Sequence, residues 1–581
     1  MNQPTDNATS ISLVLAGSGG SGVITAGNML LAAAAKAGWY GLMTRSAGPQ
    51  IRGGEAAALL RLSSEPVSAQ PDRYDLIIAL DWMNFERFAD EIPLDENTVI
   101  IGDASAAKKT PAFVTEGPAR RGDIDFKNLS KAIPGGRPNM IALGTVGALI
   151  GLPEDALDAA LSDALAKRGE DAITASRAGA QAGRSVAADM PATPKLPTPE
   201  GEKAGRWLIS GNEAAGLGAI RGGVRFVAAY PITPATEILE WMSPALTKVG
   251  GVLVQAEDEL ASINMAIGGS YGGVPALTAT SGPGLALMTE AIGLAVASEV
   301  PVVIVDVMRG GPSTGIPTKS EQSDLNMALY ALPGDAPHIV VAPNSIRDCV
   351  FTTQWSVHLA EAMQTPAIVL SDQALGQAKS VIAAPADIAF IAQRETASTP
   401  AQGENYQRYA VTASGVSPMA LPGTPGCAYT ADGLEHNPRG TPSGGAKDHH
   451  IQLDKRQRKT DDFDYGQHWA DQAGEGDTVV LTWGSCTGPV LEALENLAGT
   501  DDAARMISMR LLMPAPKDQL TKALEGAKRV IVVEQTHSGQ FMGYLRANID
   551  LPRDAEHYCI PGPLPMRPGD IVSLVKEGTP S

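Results

Sequence analysis

The chain has 581 residues, 44% of them hydrophobic, 19% charged and only 5% aromatic, with 62 glycines. That is too long for one core and fits three or four aliphatic, turn-rich globular domains of ~100–200 residues each. A formal net charge of −19 argues against nucleic-acid or anionic-membrane partners, no apolar run approaches the ~18 residues of a membrane span, and MNQPTDNATS has no positive n-region or apolar h-region, so a cytoplasmic location is expected.

Residues 11–16 predict a strand that runs into GSGGSG at 17–22 and then an alanine-rich helix to about Lys36. Strand, glycine loop and helix form a phosphate-cradling or dinucleotide-type turn. No Asp or Glu lies between Gly22 and Glu55 to hold a ribose hydroxyl, which counts against nicotinamide binding, although Arg45 offers a cation for a 2′-phosphate. Apolar segments at 57–62, 75–80 and 98–101 and a helix near 154–167 complete a first α/β domain over 1–185. Residues 186–205 carry four prolines and read as a linker.

A second α/β domain is expected over 206–397. Its strands at 224–229, 252–256, 276–280 and 301–307 alternate with helices, the pattern of a parallel sheet. Residues 398–475 turn to Gly, Pro, Ser and charge and predict an extended arm, with 455–459 a solvated or partner-facing helix start and His449–His450 on a solvated loop rather than a metal pair. A final α/β domain spans 476–581. The four cysteines (Cys349, Cys427, Cys486, Cys559) are far apart without a CxxC pair, so no iron–sulfur or structural zinc site is expected and the thiols should be reduced and mostly buried.

In open parallel sheets ligands bind at the carboxyl ends of strands. Three such ends carry polar residues: Thr233 in the proline-locked turn Tyr230–Pro231–Ile232–Thr233–Pro234, Glu257 or Glu259 after the second strand, and Arg309 after the fourth. Each proline fixes its own φ and pushes the preceding residue toward extended geometry. An arginine fork suits a small carboxylate. The plainer readings are a helix-start carboxylate favoured by the macrodipole for the glutamate and a surface ion pair for Arg309.

The strings GNEAAGLGAI, AAYPITPATEI, QAEDELASINMAIGGS, TATSGPGLALMTEAIGLA, MRGGPSTGIPT, TWGSCTGPV and VEQTHSGQ together resemble the α subunit of 2-oxoacid:ferredoxin oxidoreductases, most closely those acting on 2-oxoglutarate. GSGGSGVITAGNML and SAGPQIRGGEA resemble the family's γ module, here fused ahead of α. The resemblance implies a multi-domain α/β fold: an N-terminal Rossmann-like γ domain, a pyrimidine-type thiamine-diphosphate-binding domain and a transketolase C-terminal-like domain. It implies coenzyme A-dependent oxidative decarboxylation of a 2-oxoacid, with electrons passing to iron–sulfur clusters and ferredoxin, or the reverse reaction in CO2 fixation by a reductive TCA cycle. A glutamate would hydrogen-bond N1′ of the cofactor. Small residues seven and nine positions on, Ala266 and Gly268, favour Glu259 over Glu257. Thr233 and Arg309 match positions that hold the substrate carboxylate, Thr318 lies near substrate, and Tyr230, Pro231, Ser281 and Gly282 match the cofactor side. No Gly-Asp-Gly with a downstream Asn is present, so a β subunit is expected to bring the diphosphate, Mg2+ and a [4Fe–4S] cluster in an (αβ)2 heterotetramer. The alternatives are a pyruvate, branched-chain or indolepyruvate member, or a non-catalytic nucleotide-binding regulatory subunit.

Overall fold

The computed structural model describes residues 8–48, 54–197, 205–316 and 319–578. Part of the expected linker (198–204) and of the SAGPQIRGGEA string (49–53) lies outside them. The chain divides into two compact units, and each is built around its own sheet system.

The first unit runs to Ser210 and takes back Ala378–Pro385 and Leu564–Asp570. Its eight-stranded sheet has the order Arg120–Ile124, Val99–Asp103, Leu76–Ala79, Ser10–Ser18, Glu55–Ser63, Tyr40–Ala47, Lys379–Ala383, Arg206–Ser210. The first four strands are parallel and the rest pair antiparallel. Ser10–Ser18 is buried on both faces: Ile11, Leu13 and Leu15 join one cluster, Val14 and Ala16 another. A continuous apolar run is what a two-sided parallel strand needs. Two strands within the 206–397 range expected for the second α/β domain, Arg206–Ser210 and Lys379–Ala383, instead hydrogen-bond to each other and into this sheet.

The second unit holds two sheets. The seven-stranded one has the order Leu511–Met513, Ile339–Val341, Pro366–Asp372, Val302–Met308, Ala276–Thr280, Phe226–Ala229, Val252–Gln255. All neighbours are parallel except the antiparallel Leu511–Met513 edge. The five-stranded sheet has the order Ala470–Gly474, Ala504–Met509, Thr478–Trp483, Arg529–Glu534, Glu556–Cys559, parallel but for its first strand. One apolar cluster, from Ala219 to Leu551, runs through both. No helix among the described residues is long and apolar enough to cross a membrane.

The basic run at 455–459 is not solvated. It lies in the helix Ala446–Asp461, with Lys455 and Lys459 buried. His449 and His450 are on this same helix rather than a loop; His449 Nδ1 lies 2.8 Å from Glu435 Oε2. The reason is Glu299, wholly buried just beyond the helix Gly282–Ser298. Lys455 Nζ and Lys459 Nζ each sit 2.6 Å from one of its carboxylate oxygens. Arg408 Nη2 donates to the Glu299 carbonyl at 2.8 Å. Three cations therefore surround one carboxylate at the negative end of a helix dipole. Burial pushes Lys459 down to about 7, which relieves the excess of positive charge.

Glu299→Gln leaves those cations without their carboxylate and should cost about 3–5 kcal/mol of unfolding free energy, read by denaturant titration. Lys459 titrates near 10.5 unfolded and about 7 folded. Between these values the unfolded chain holds the extra proton, so its contribution to stability rises with pH. Lys459→Met should flatten the Tm gain between pH 7 and 9.

Candidate active site at the carboxyl edge of the seven-stranded sheet

Because Val302–Met308, Ala276–Thr280, Phe226–Ala229 and Val252–Gln255 are adjacent and parallel, their carboxyl ends share one edge. The turn after Phe226–Ala229 leaves Tyr230 exposed and Pro231 half-buried. The Ile232 carbonyl accepts from Ala235 N and Thr236 N and so starts the next helix. Buried Asn212, from the GNEAAG string, donates to the Pro234 carbonyl at 2.9 Å and pins the turn from below.

Arg309 closes the gap between strand ends. Its Nη1 donates to the Thr233 carbonyl at 2.8 Å. Its Nε is buried and has no hydrogen-bond partner among the described residues. The two residues expected to grip a carboxylate are thus joined. Thr318 lies outside the described residues.

The two glutamates separate by burial. Glu257 is exposed, whereas Glu259 is 9% accessible and opens the helix Glu259–Tyr271. Asp258 between them is the N-cap, its Oδ1 accepting from Ala261 N at 2.7 Å. The cap sets where the helix begins, and so turns Glu259 inward. Its side chain bears on Gly284 of the SGPG turn: a Cβ there would lie 2.8 Å from Glu259 Cγ and 3.1 Å from Oε1. Ser281, the N-cap of Gly282–Ser298, has a buried hydroxyl without a partner among the described residues.

Beyond Arg309 the loop is tied down. Gly310 N donates to the Lys319 carbonyl at 3.0 Å and Ser323 Oγ to the Arg309 carbonyl at 3.1 Å. Gln322, completely buried, donates from Nε2 to the Trp483 carbonyl and accepts at Oε1 from Gln535 N, both at 2.9 Å. The TWGSC and VEQTH strings thus serve as anchors for this loop. Sequence reasoning missed Gln322 and the carboxylates Asp306 and Asp324 beside the loop. Asp306 did carry a signal, as the one charged residue in VVIVDVM.

In the first unit the GSGGSG loop has its expected strand–loop–helix setting, with Gly22 at φ 83° before the helix Val23–Ala37. Ser18 gives its N–H and hydroxyl to Asp81 Oδ2 at 2.9 and 2.7 Å. The loop borders a cavity of about 1720 Å³ whose lining includes Lys127, Arg137 and Arg168.

A family model described as pyruvate flavodoxin/ferredoxin oxidoreductase, thiamine diP-bdg, matches residues 217–455, and one described as pyruvate ferredoxin/flavodoxin oxidoreductase matches 12–186. The 2-oxoacid:ferredoxin oxidoreductase subunit alpha of Saccharolobus solfataricus is 31% identical over 95% of this chain and 94% of its own length. The chain belongs to the 2-oxoacid:ferredoxin oxidoreductase α-subunit family. Among its relatives is the 2-oxoglutarate oxidoreductase subunit KorA of Mycobacterium tuberculosis, 35% identical over 70% of this chain and 63% of that one. The solved structure of 2-oxoglutarate:ferredoxin oxidoreductase from Magnetococcus marinus is 36% identical, with a TM-score of 0.90 over 98% of this chain and 100% of that one. The multi-domain α/β architecture is that of the oxidoreductase, as the motifs implied.

For a member of this family the Gly284 contact is a test of the glutamate's placement. A Cβ at Gly284 meets Thr280 Oγ1 before it meets Glu259, so Gly284→Ala is read against Thr280→Ser/Gly284→Ala as well as wild type; a displacement of Glu259 near 1 Å should lower turnover on the order of 100-fold with the circular dichroism spectrum unchanged. Wild-type turnover would show that the carboxylate is not held there.

Proposed function

We propose that the chain is the α subunit of a cytoplasmic 2-oxoglutarate:ferredoxin oxidoreductase. It would catalyse coenzyme A-dependent oxidative decarboxylation of 2-oxoglutarate to succinyl-CoA and CO2, with ferredoxin as electron acceptor. The observation that carries this reading is the Arg309–Thr233 bond on the sheet edge where Glu259 is buried. The Magnetococcus marinus enzyme, solved with 2-oxoglutarate, coenzyme A and succinyl-CoA bound, supports the choice of substrate.

The residues present fit the pyrimidine side of thiamine diphosphate: a carboxylate shielded from water, with room made by Gly284, beside the orphaned Ser281 hydroxyl. When bound, thiamine diphosphate supplies the electron sink that 2-oxoacid decarboxylation requires. Glu259 would hold or accept a proton at N1′ of the aminopyrimidine, in surroundings where a carboxylate's hydrogen bond is strong. Arg309 would bind the substrate carboxylate, and Thr233 would orient it with its hydroxyl. Tyr230, Pro231 and Gly282 would line the same edge.

The chain has no Gly-Asp-Gly motif with a downstream Asn. We therefore assign the diphosphate, Mg2+ and a [4Fe–4S] cluster to a β subunit in an (αβ)2 assembly. Both helices at the site present large apolar side chains to solvent, Leu260 and Met265 on one and Leu287 on the other, at 44–51% exposure. Such a surface next to a buried catalytic carboxylate suits a permanent subunit contact. The cavity beside the GSGGSG loop, with Lys127, Arg137 and Arg168, offers shape and charge for the nucleotide end of coenzyme A.

Arg309→Lys keeps charge but loses the fork, so KM for 2-oxoglutarate in the assembled enzyme should rise roughly tenfold or more while thiamine diphosphate binding persists. An unchanged KM would remove Arg309 from the clamp. Glu259→Gln should lower kcat by about 100-fold or more with little change in KM, and Glu257→Gln should do far less. Hydrogen–deuterium exchange at C2 of the bound cofactor checks the assignment: exchange at the wild-type rate in Glu259→Gln would transfer the role elsewhere.

A further inference from the structure

Asp306 is the one charged residue of Val302–Met308, a strand in which every residue is buried. Its carboxylate is completely buried, and neither oxygen has a donor among the described residues. Across the sheet Asp306 pairs with Thr280, and two residues on, both oxygens of a second carboxylate, Asp324, lie against Gly282, which brings the two acids within reach of one another. Asp324 precedes the helix Leu325–Tyr330 without capping any amide, and its Oδ2 is also buried without a donor.

Two carboxylates offer acceptors and no donor, so a hydrogen bond between them needs a shared proton. The other charged groups that act on Asp324 are the Arg309 guanidinium, from beyond ion-pair distance, and the Glu321 carboxylate; the adjacent Ser323 hydroxyl donates to the Arg309 carbonyl at 3.1 Å and holds the two segments together. Both Asp324 oxygens lie against Gly282, where a Cβ would come within 2.7 Å of each. Gly282 is the first residue of a 17-residue helix, whose positive end favours the charge on Asp324 over Asp306.

We propose that Asp306 and Asp324 hold one proton between them and act as positioning residues for Arg309. Protonated Asp306 donates to Asp324, and the single charge on Asp324 steadies the guanidinium over the Thr233 carbonyl. This rests on the reading of Arg309 as the carboxylate clamp. Burial and the neighbouring Asp324 push Asp306 well above the usual carboxylate range, while burial and the Glu321 charge push Asp324 up to about 6 against the lowering hydrogen bond from Asp306. A second proton therefore enters near pH 6 and removes the charge that faces Arg309.

The test uses the assembled α–β enzyme. Asp324→Asn keeps shape and removes charge, so KM for 2-oxoglutarate should rise about tenfold at nearly constant kcat, and the wild-type rise in KM below pH 6 should vanish. Asp306→Asn supplies a permanent donor and should leave KM near wild type at pH 7.5, whereas Asp306→Leu should behave like Asp324→Asn. A thermal readout is independent of turnover. Folded Asp306 keeps a proton that the unfolded chain releases above 3.8, so wild type loses stability as pH rises and the Tm of Asp306→Asn relative to wild type should climb from pH 5 to 8. A pH-independent Tm difference overturns the shared proton. An unmoved KM in Asp324→Asn, with Arg309→Lys impaired, overturns the positioning role while the clamp reading stands. If Arg309→Lys is also unimpaired, the clamp reading fails and this proposal with it.

Discussion

The hydrogen bond from Arg309 to the Thr233 carbonyl spans 76 positions of sequence, and the arrangement of the site depends on it. It is possible because the parallel sheet sets Val302–Met308 two strands away from Phe226–Ala229, with Ala276–Thr280 between them in register with both. A guanidinium that already spends one N–H on backbone has lost part of its rotamer freedom before any ligand arrives. Less ordering then remains to be done on binding, which is the advantage of a preorganised fork over a lysine at the same place.

The helix Gly282–Ser298 serves the site from both ends. Its positive terminus meets the carboxylate of Asp324, and its negative terminus meets Arg408, Lys455 and Lys459 around Glu299. One dipole is thereby complemented twice, by groups drawn from segments distant in sequence. The stretch from 398 to 445 has almost no regular secondary structure, yet through Arg408, Tyr409 and Ser417 it contributes fully buried side chains to this grip. Low periodicity there reflects a chain that follows another surface instead of folding on its own.

The second unit was legible where each strand is a short apolar run that ends at a turn residue. Ala276–Thr280 coincides with the strand its sequence predicts, and the turn at Thr233 follows from its two prolines. Local signals failed where tertiary partners decide. The charges in KRQRK indicate a solvated helix until Glu299, 156 positions away, is seen to neutralise two of them. Residue spacing favours Glu259 over Glu257, but the burial that separates them follows from the Asp258 cap, which local sequence does not reveal. Asp306 was visible as an anomaly in an apolar strand, but Asp324, the group it bonds to, lies across a loop that carries no periodicity. The strands Arg206–Ser210 and Lys379–Ala383 look like members of the unit that separates them in sequence, because strand propensity says nothing about which sheet a strand will join.

That last pair has a consequence for how the protein is made. Among the described residues Arg206–Ser210 pairs within its sheet only with Lys379–Ala383, and the partner leaves the ribosome roughly 170 residues later, a delay on the order of 10–30 s at ordinary elongation rates. Throughout that interval the first unit has an unfinished sheet edge, with Tyr40–Ala47 also waiting for its outer neighbour. Exposed edges of this kind invite pairing with other nascent chains. Completing the N-terminal unit is therefore tied to synthesis of the catalytic segment between these two strands, so a chain that stops early keeps a sticky border.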